Sequence, residues 1–223
     1  MAKQIKLVIS TSTGTNAVTY RENKIYSLST HRALYDNEPS IGNCVSGELN
    51  AVLDLDTSVI PRNAKIVPYV SDDGTTWIKK SEYYLFSRSV DKATGALTVV
   101  AYDAIYRSEL DYYTTSGDQG YWPKTTLAVM QEIALRIGAN ICSASQTLLN
   151  NPSYYVQYPG YGDGALSMRQ VAGDIAVRYA GNWVIDNNGE LHLIRLADIP
   201  AETNYLITEN NYVITLGGVR LIV

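Results

Sequence analysis

The apolar residues of this chain change their spacing near residue 112, and this change limits the possible folds more than any other feature. Before that point they lie in short runs, some of which alternate with polar residues as in half-buried β-strands. Leu49, Ala51, Leu53 and Leu55, for example, share one face of a predicted strand. Turns with glycine separate the runs, as in DKATG at 91–95. Such strands predict an antiparallel barrel or sandwich.

After residue 112 the spacing becomes helical. Apolar residues at 127, 130, 133, 134 and 137 form one stripe of a helix of about twelve residues, and Gly138 suits its C-terminal cap. Ser167 and Gln170 have the spacing of a capping box, which predicts a second helix that ends at Gly181. A hairpin with its turn at 187–189 follows. The second half is therefore predicted to pack two helices on a small antiparallel sheet.

The composition excludes several functional classes. A formal charge of −4 without blocks of Lys or Arg is typical of a poor non-specific nucleic-acid binder. No apolar run approaches the roughly 18 residues of a transmembrane helix, so we expect no membrane insertion. Of the 22 aromatic residues, 18 are tyrosine. Tyrosine favours strands and contact surfaces where the ring packs and the hydroxyl stays hydrated.

The sequence GYGDGA at 160–165 matches the G-x-G-x-x-A pattern of dinucleotide-binding folds, and Asp186 follows at about the distance of a ribose-binding acid. A dinucleotide fold needs a buried parallel strand before the glycines, but here Pro159 adjoins them. The strand that ends at Asp186 is also predicted to turn back in a hairpin. We therefore interpret the pattern as a turn that positions the capped helix, and we expect no cofactor.

Residues for catalysis or metal binding are few and scattered. His31 and His192 have no Cys or carboxylate cluster around them in the sequence, so a zinc site is not expected. Acidic pairs lie in predicted turns and strand ends, where Asp is favoured for backbone reasons. Cys44 and Cys142 match no metal-ligand spacing and are expected as buried, reduced thiols. We expect no catalytic residue, no metal and no enzyme activity.

Four tyrosines lie on one Gly- and Pro-containing loop: Tyr154, Tyr155, Tyr158 and Tyr161, called the tyrosine loop below. Aromatic rings on such a loop are costly to leave in water unless something covers them. The cover could be the same domain, another subunit or a sugar. The tyrosine loop is the candidate contact surface.

Several short segments, taken in order, resemble one family. They are SIGNCVSG at 40–47, IPRNAK at 60–65, WIKK at 77–80, YY at 83–84, DKATG at 91–95, AYDA at 101–104, WP at 122–123, EIALRIG at 132–138, YP at 158–159, MRQV at 168–171 and GNWV at 181–184. In this order and spacing, most of residues 1–220 resembles the tail-tip (baseplate) hub proteins of phages and prophages of Gram-positive bacteria.

The resemblance implies a structural protein, similar to the hub of contractile-tail baseplates and to the matching part of type VI secretion spikes. Such hubs are homotrimers in which each chain contributes two similar β-barrels, with an α+β region between them. The implied partners are a second and third copy, the tail tube or distal tail protein, the tape measure protein and a distal spike or fibre. DNA would only pass through the channel, whose lining is expected to be biased toward acidic residues. The implied location is the virion tail tip, after assembly in the cytoplasm of the bacterial host.

Together, these patterns predict an α+β, mainly β fold. An antiparallel β-barrel is expected at residues 1–112 and an α+β insertion domain at 113–200. Residues 201–223 are expected to begin a second barrel that the chain leaves incomplete, because family members continue past the segment that resembles ITLGGVR at 214–220.

Two other functions fit the same sequence. The chain could be the N-terminal adapter of a tail-associated lysin whose peptidoglycan hydrolase is a separate downstream domain. It could also be a module that binds host glycans through the tyrosine loop.

Overall fold

The structure is a computed structural model that describes residues 3–11, 17–35, 38–55, 60–113, 121–160 and 164–195, and the backbone of 215–216 and 219–220. Eight strands form the large sheet. They are β1 Gln4–Ser10, β2 Val18–Arg21, β3 Ile25–His31, β4 Glu48–Asp54, β5 Lys65–Ser71, β6 Ile78–Lys79, β7 Tyr83–Asp91 and β8 Ala96–Tyr102. Tyr161 and most of 201–223 lie outside the described residues.

The large sheet is antiparallel and has the strand order β2-β1-β5-β7-β8-β4-β3, with β6 paired to β5. The predicted strands and hairpins are present, and the α+β, mainly β class is confirmed. The described strands do not close into a barrel by pairing, because β2 and β3 stand at the two ends of the order. A 3-10 turn at Glu22–Lys24 carries the chain from one end of the sheet to the other.

One core lies against the inner face of this sheet. Alternate residues of β1, β4, β5 and β8 point into it, as the alternating pattern predicts. Leu49, Ala51 and Leu53 are buried there. Leu55, predicted to share their face, lies beyond the end of β4 and is exposed. The strand therefore ends one residue before the apolar pattern does.

The described part of the second half contains three helices and short strands. Their bounds are β9 Lys124–Thr125, α1 Thr126–Ile137, β10 Asn140–Ile141, α2 Ser143–Leu149, β11 Tyr155–Val156, α3 Met168–Arg178, β12 Gly181–Ile185 and β13 Glu190–Arg195. β12 and β13 form the predicted hairpin, but β10 pairs in parallel with β13, so this sheet is mixed and not purely antiparallel. β14 Thr215–Leu216 and β15 Val219–Arg220 pair with each other.

The local signals for α1 and α3 are confirmed. Gly138 has the left-handed backbone that ends α1, with φ of 79°. Ser167 and Gln170 form both hydrogen bonds of the capping box at the start of α3. The prediction that Gly181 ends α3 is wrong, because the helix stops at Arg178. Gly181 instead begins β12, where a Cβ would lie 2.6 Å from the Ile194 carbonyl oxygen.

A second core joins α1, α3 and the hairpin, and it also receives residues from the first half. Cys44, Ala104, Ile105 and Tyr112 are buried in it. The loop at 41–44 covers the free edge of β12, since the Trp183 amide donates to the Asn43 carbonyl at 2.8 Å. The predicted boundaries at 112 and 200 stay a prediction, but the second core is built from both sides of residue 112.

Gly173 of α3 lies against the 41–44 loop, and a Cβ there would lie 2.6 Å from the Gly42 carbonyl oxygen. Over-packing costs about 1–3 kcal/mol, more than the roughly 1 kcal/mol that alanine gains in helix propensity. We therefore expect Gly173→Ala to lower the free energy of unfolding in urea. Asp174→Ala, at the exposed neighbouring position, is the control and should be neutral or stabilising. A Gly173→Ala protein as stable as the parent would contradict this close contact.

Candidate interaction surfaces

The tyrosine loop packs partly on its own domain. The Tyr154 ring meets Tyr179 edge-on at 5.2 Å between centroids, and the Tyr158 ring lies 5.7 Å from Tyr113 and 6.0 Å from Trp122. Each ring also keeps a solvent-exposed side, and Tyr155 is 44% exposed. Packing within the domain thus accounts for part of the surface of these rings. The use of the loop as a contact surface stays a prediction, and Tyr161 lies outside the described residues.

Backbone contacts fix the loop. β11 pairs with β9, the Leu166 amide donates to the Pro159 carbonyl at 3.0 Å, and the Arg178 guanidinium donates to the Tyr155 carbonyl. A small cleft of about 160 Å³ separates the loop from α3.

A charged pair supports the aromatic cluster beneath the loop. Glu132 accepts hydrogen bonds from the Tyr112 hydroxyl and, at 2.6 Å, from Lys124 Nζ. Burial, together with the Glu132 carboxylate, raises the pKa of Tyr112, so this phenol stays protonated and donates. The Lys124 ammonium also lies 4.9 Å from the centre of the Trp122 ring. The arrangement holds the rings in place.

A second aromatic surface was not predicted from the sequence. Phe86, Tyr102 and Tyr106 form the β7–β8 aromatic patch, with ring centroids 4.9–5.3 Å apart. Phe86 is 55% exposed although it is the only phenylalanine in the chain. Leu85 pairs with Ala101 and packs against the inner core, so the next residue, Phe86, lies on the outer face beside Tyr102, at a bulge between Leu85 and Ser87. An exposed aromatic cluster of this kind is typical of a contact surface.

β7 also offers a free edge. Its first residues pair with β5, but from Phe86 to Asp91 it pairs only with β8 among the described strands. Free strand edges are templates for pairing with another chain, and proteins usually protect them. The aromatic patch thus lies at the start of an open edge of six residues.

The outer face of β3, β4, β7 and β8 carries two rows of small, uncharged side chains, called the serine-rich face below. The rows are Ser87, Val100, Asn50 and Ser29, then Ser89, Thr98, Val52 and Ser27. Acidic residues border both ends: Glu48 on one side, and Asp54 with Asp91 on the other. The two rows contain no lysine or arginine, so these rows present no cation to a polyanion.

A buried carboxylate connects the large sheet to the second core. Asp103 Oδ2 accepts from the Gly47 amide at 2.7 Å, and Oδ1 accepts from the Ile105 amide at 3.0 Å. Burial raises the pKa of this carboxyl to about 7, while its hydrogen bonds and Arg32 oppose the shift. Asp103 caps the 3-10 turn at Ala104–Glu109, which carries two members of the second core. Its role is therefore structural.

The two histidines and the two cysteines are the remaining candidates for catalysis or metal binding. His31 lies on β3 of the large sheet and His192 on β13 of the second sheet. Within the described ranges, no three His, Cys, Asp or Glu side chains come together in a way that could hold a metal ion. Both cysteines are free, and burial raises the pKa of Cys44 to about 12. Cys142 was expected to be buried and is half-buried.

None of the helices that the structure describes has the length and apolar character needed to cross a membrane. Asp186, the candidate ribose-binding acid, accepts from the Asn188 and Glu190 amides in the β12–β13 turn. β12 and β13 form the antiparallel hairpin that was predicted after α3, but residues 161–163 of the G-x-G-x-x-A pattern lie outside the described residues, so its interpretation as a turn stays a prediction.

A known structure shares this fold. No protein-family model matches the sequence, and no curated protein does. The 43 kDa tail protein of prophage MuSo2 from Shewanella oneidensis covers 87% of this chain, with a TM-score of 0.53 and 13% identity. Prophage tail protein gp18 from Listeria monocytogenes EGD-e covers 92% of it, with a TM-score of 0.45 and 10% identity. The chain spans 56% and 53% of these two proteins. At this identity the MuSo2 likeness is one of fold, so the chain has the fold of a prophage tail protein.

Proposed function

We propose that this chain is a structural component of a phage tail tip, a trimeric hub that joins the tail tube to a distal spike or fibre. The observation that carries the proposal is the shared fold with the MuSo2 tail protein over 87% of the chain. The family resemblance of the sequence segments supports the same role and a Gram-positive host. The proposed role is not enzymatic.

The proposed subunit contact is the open edge of β7 together with the β7–β8 aromatic patch. Edge strands pair through backbone hydrogen bonds, and aromatic rings beside them bury apolar area without charge. Closed rings of identical subunits use such complementary surfaces at each junction. A contact at Phe86–Asp91 would remove both the free edge and the exposed phenylalanine from water.

The serine-rich face is the proposed lining of the channel. Sheets that join edge to edge around an axis turn one face toward that axis. The two rows of the serine-rich face carry no lysine or arginine. DNA is held non-specifically by Lys and Arg, so an uncharged face with acidic borders lets it pass without adhering. Cryo-electron microscopy of the assembled particle tests this placement, and a channel lined by lysine and arginine would contradict it.

The trimer is tested by the mass of the purified protein. We expect light scattering to give the mass of three 24.6 kDa chains at high concentration, with three-fold symmetry in electron micrographs. Phe86→Lys places a charge in the contact and should raise the dissociation constant at least about tenfold, the effect of 1.4 kcal/mol. Because Phe86 is exposed, the fold should be unaffected.

The control variant is Tyr155→Lys, which places the same charge on the tyrosine loop. It should leave the trimer intact if the contact lies at β7, and disrupt it if the tyrosine loop is the contact instead. A wild-type protein that stays monomeric at every concentration, and in mixtures with tail-tube protein, would overturn the hub proposal.

A further inference from the structure

A small cleft opens at the end of the large sheet that is formed by β1 and β2. It has a volume of about 230 Å³ and is lined by Gln4, Ile5, Arg21, Glu22, Asn23 and Trp77. Sites for drug-sized ligands have volumes of about 300–1,000 Å³, so this cleft suits a single small ring. Five of its six lining side chains are polar or aromatic, which sets it apart from an apolar packing defect.

The aromatic side of the cleft is held in place. Lys6 Nζ lies 4.2 Å from the centre of the Trp77 ring and 5.1 Å from the centre of the Tyr69 ring. The register of β1 with its two neighbours places Lys6, Arg21 and Tyr69 on the same outer face. The ammonium between two rings fixes the indole by cation–π attraction. Trp77 therefore presents a preorganised aromatic surface.

The polar side is held as well. Glu22 Oε1 accepts a hydrogen bond from the Ile5 amide at 3.0 Å, which fixes this carboxylate in the lining of the cleft. The Gln4 amide lies against Gly74, where a Cβ would come within 3.0 Å of its Oε1. Arg21 and Asn23, both exposed, add donors and one more amide at the rim. The lining of the cleft therefore combines the Trp77 indole with hydrogen-bond donors and acceptors that short segments of strand and turn carry.

We propose that this cleft binds one sugar ring of a glycan. A sugar has an apolar face of C–H groups that suits an indole, and its hydroxyls each donate and accept, which suits carboxylate, amide and guanidinium groups. The Glu22 carboxylate would repel a phosphate. An apolar ligand would displace water from four polar side chains and offer them no hydrogen bond in exchange. The tyrosine loop is a separate part of the molecule, so this site is distinct from the glycan hypothesis made from the sequence. It also goes beyond the hub proposal and does not depend on it.

The probes are glucose, galactose, rhamnose and N-acetylglucosamine, tested singly with the full chain by saturation-transfer NMR. We expect at least one of them to bind with a dissociation constant of about 1 mM, which corresponds to 4.1 kcal/mol. Trp77→Ala and Glu22→Gln should each weaken that binding at least about tenfold. Glu22→Gln can still accept from the Ile5 amide and lies on the surface, so it keeps the proposal testable if Trp77→Ala folds poorly.

The matched control is Tyr155→Ala in the tyrosine loop, which should bind the sugar as the parent does. Loss of binding in this control with retention in Glu22→Gln would move the site to the tyrosine loop and overturn the assignment. Failure of all four sugars to bind at any concentration up to their solubility would overturn it too. The mass measurement that tests the trimer is unaffected by either result.

Discussion

Trp183→Ala is expected to lower the free energy of unfolding by about 3–5 kcal/mol, the range for removing a large aromatic residue from a core. The Trp183 side chain is fully buried, and its Nε1 donates to the Ala172 carbonyl of α3 at 3.0 Å. Its backbone amide donates to Asn43, so the residue joins α3, β12 and the 41–44 loop. Its removal leaves a cavity where these three segments meet.

Urea unfolding followed by circular dichroism measures this loss. Trp183→Phe keeps most of the volume but not the hydrogen bond, and should cost less than the alanine variant. Ile78→Ala, at a half-exposed position on the short strand β6, is the surface control and should change stability by less than about 0.5 kcal/mol. A loss below 1 kcal/mol for Trp183→Ala, set against the roughly 3–5 expected of a core tryptophan, would show that the second core is not built around it.

Asp103→Ala is expected to lower the free energy of unfolding by about 2–5 kcal/mol at pH 5, because it leaves the Gly47 and Ile105 amides buried without an acceptor. The side chain of Asp103 fits closely between its partners: a Cβ on Gly47 would lie 2.8 Å from Asp103 Oδ2. Asp103→Asn keeps one acceptor oxygen and should cost less. An alanine variant as stable as the parent would contradict the capping role.

The same residue should make stability depend on pH. Burial raises the pKa of the Asp103 carboxyl from 3.8 to about 7, so between these values the folded chain holds a proton that the unfolded chain releases. The free energy of unfolding therefore falls as the pH rises through this window, by at most about 1.4 kcal/mol per pH unit. Asp103→Asn should flatten this slope in urea titrations between pH 4 and pH 7, and an unchanged slope would assign it to another group.

Elements with a local signal were predictable. The stripe of α1, the capping box of α3 and the hairpin turns depend on residues within one or two turns of each other, and each lies where the sequence predicts it. α2 was missed because its seven residues carry no side-chain cap and few apolar side chains. β10 was missed because two residues contain no pattern, and only its parallel pairing with β13 makes them a strand.

The candidate surfaces were predictable only in part. The tyrosine loop stands out by composition, whereas the contacts of Phe86 with Tyr102 and Tyr106 depend on the pairing of β7 with β8 and on the 3-10 turn that follows β8. In the sequence, Asp103 looks like an ordinary carboxylate at the end of a strand. In the fold it is buried and accepts a hydrogen bond from the Gly47 amide, 56 residues away in the chain. The cleft at Trp77 combines residues of β1, the turn after β2 and the segment before β6.

By itself, the sequence determined the class of the fold, since periods of two and of 3.6 follow from backbone geometry over a few residues. It also determined where α1 ends and where α3 begins. Among the described residues, the tertiary structure alone decided which surfaces stay open: the edge of β7, the serine-rich face and the Trp77 cleft. Whether a strand edge or an aromatic ring is covered depends on pairings between segments that are distant in the sequence. The local spacing of apolar residues does not determine those pairings.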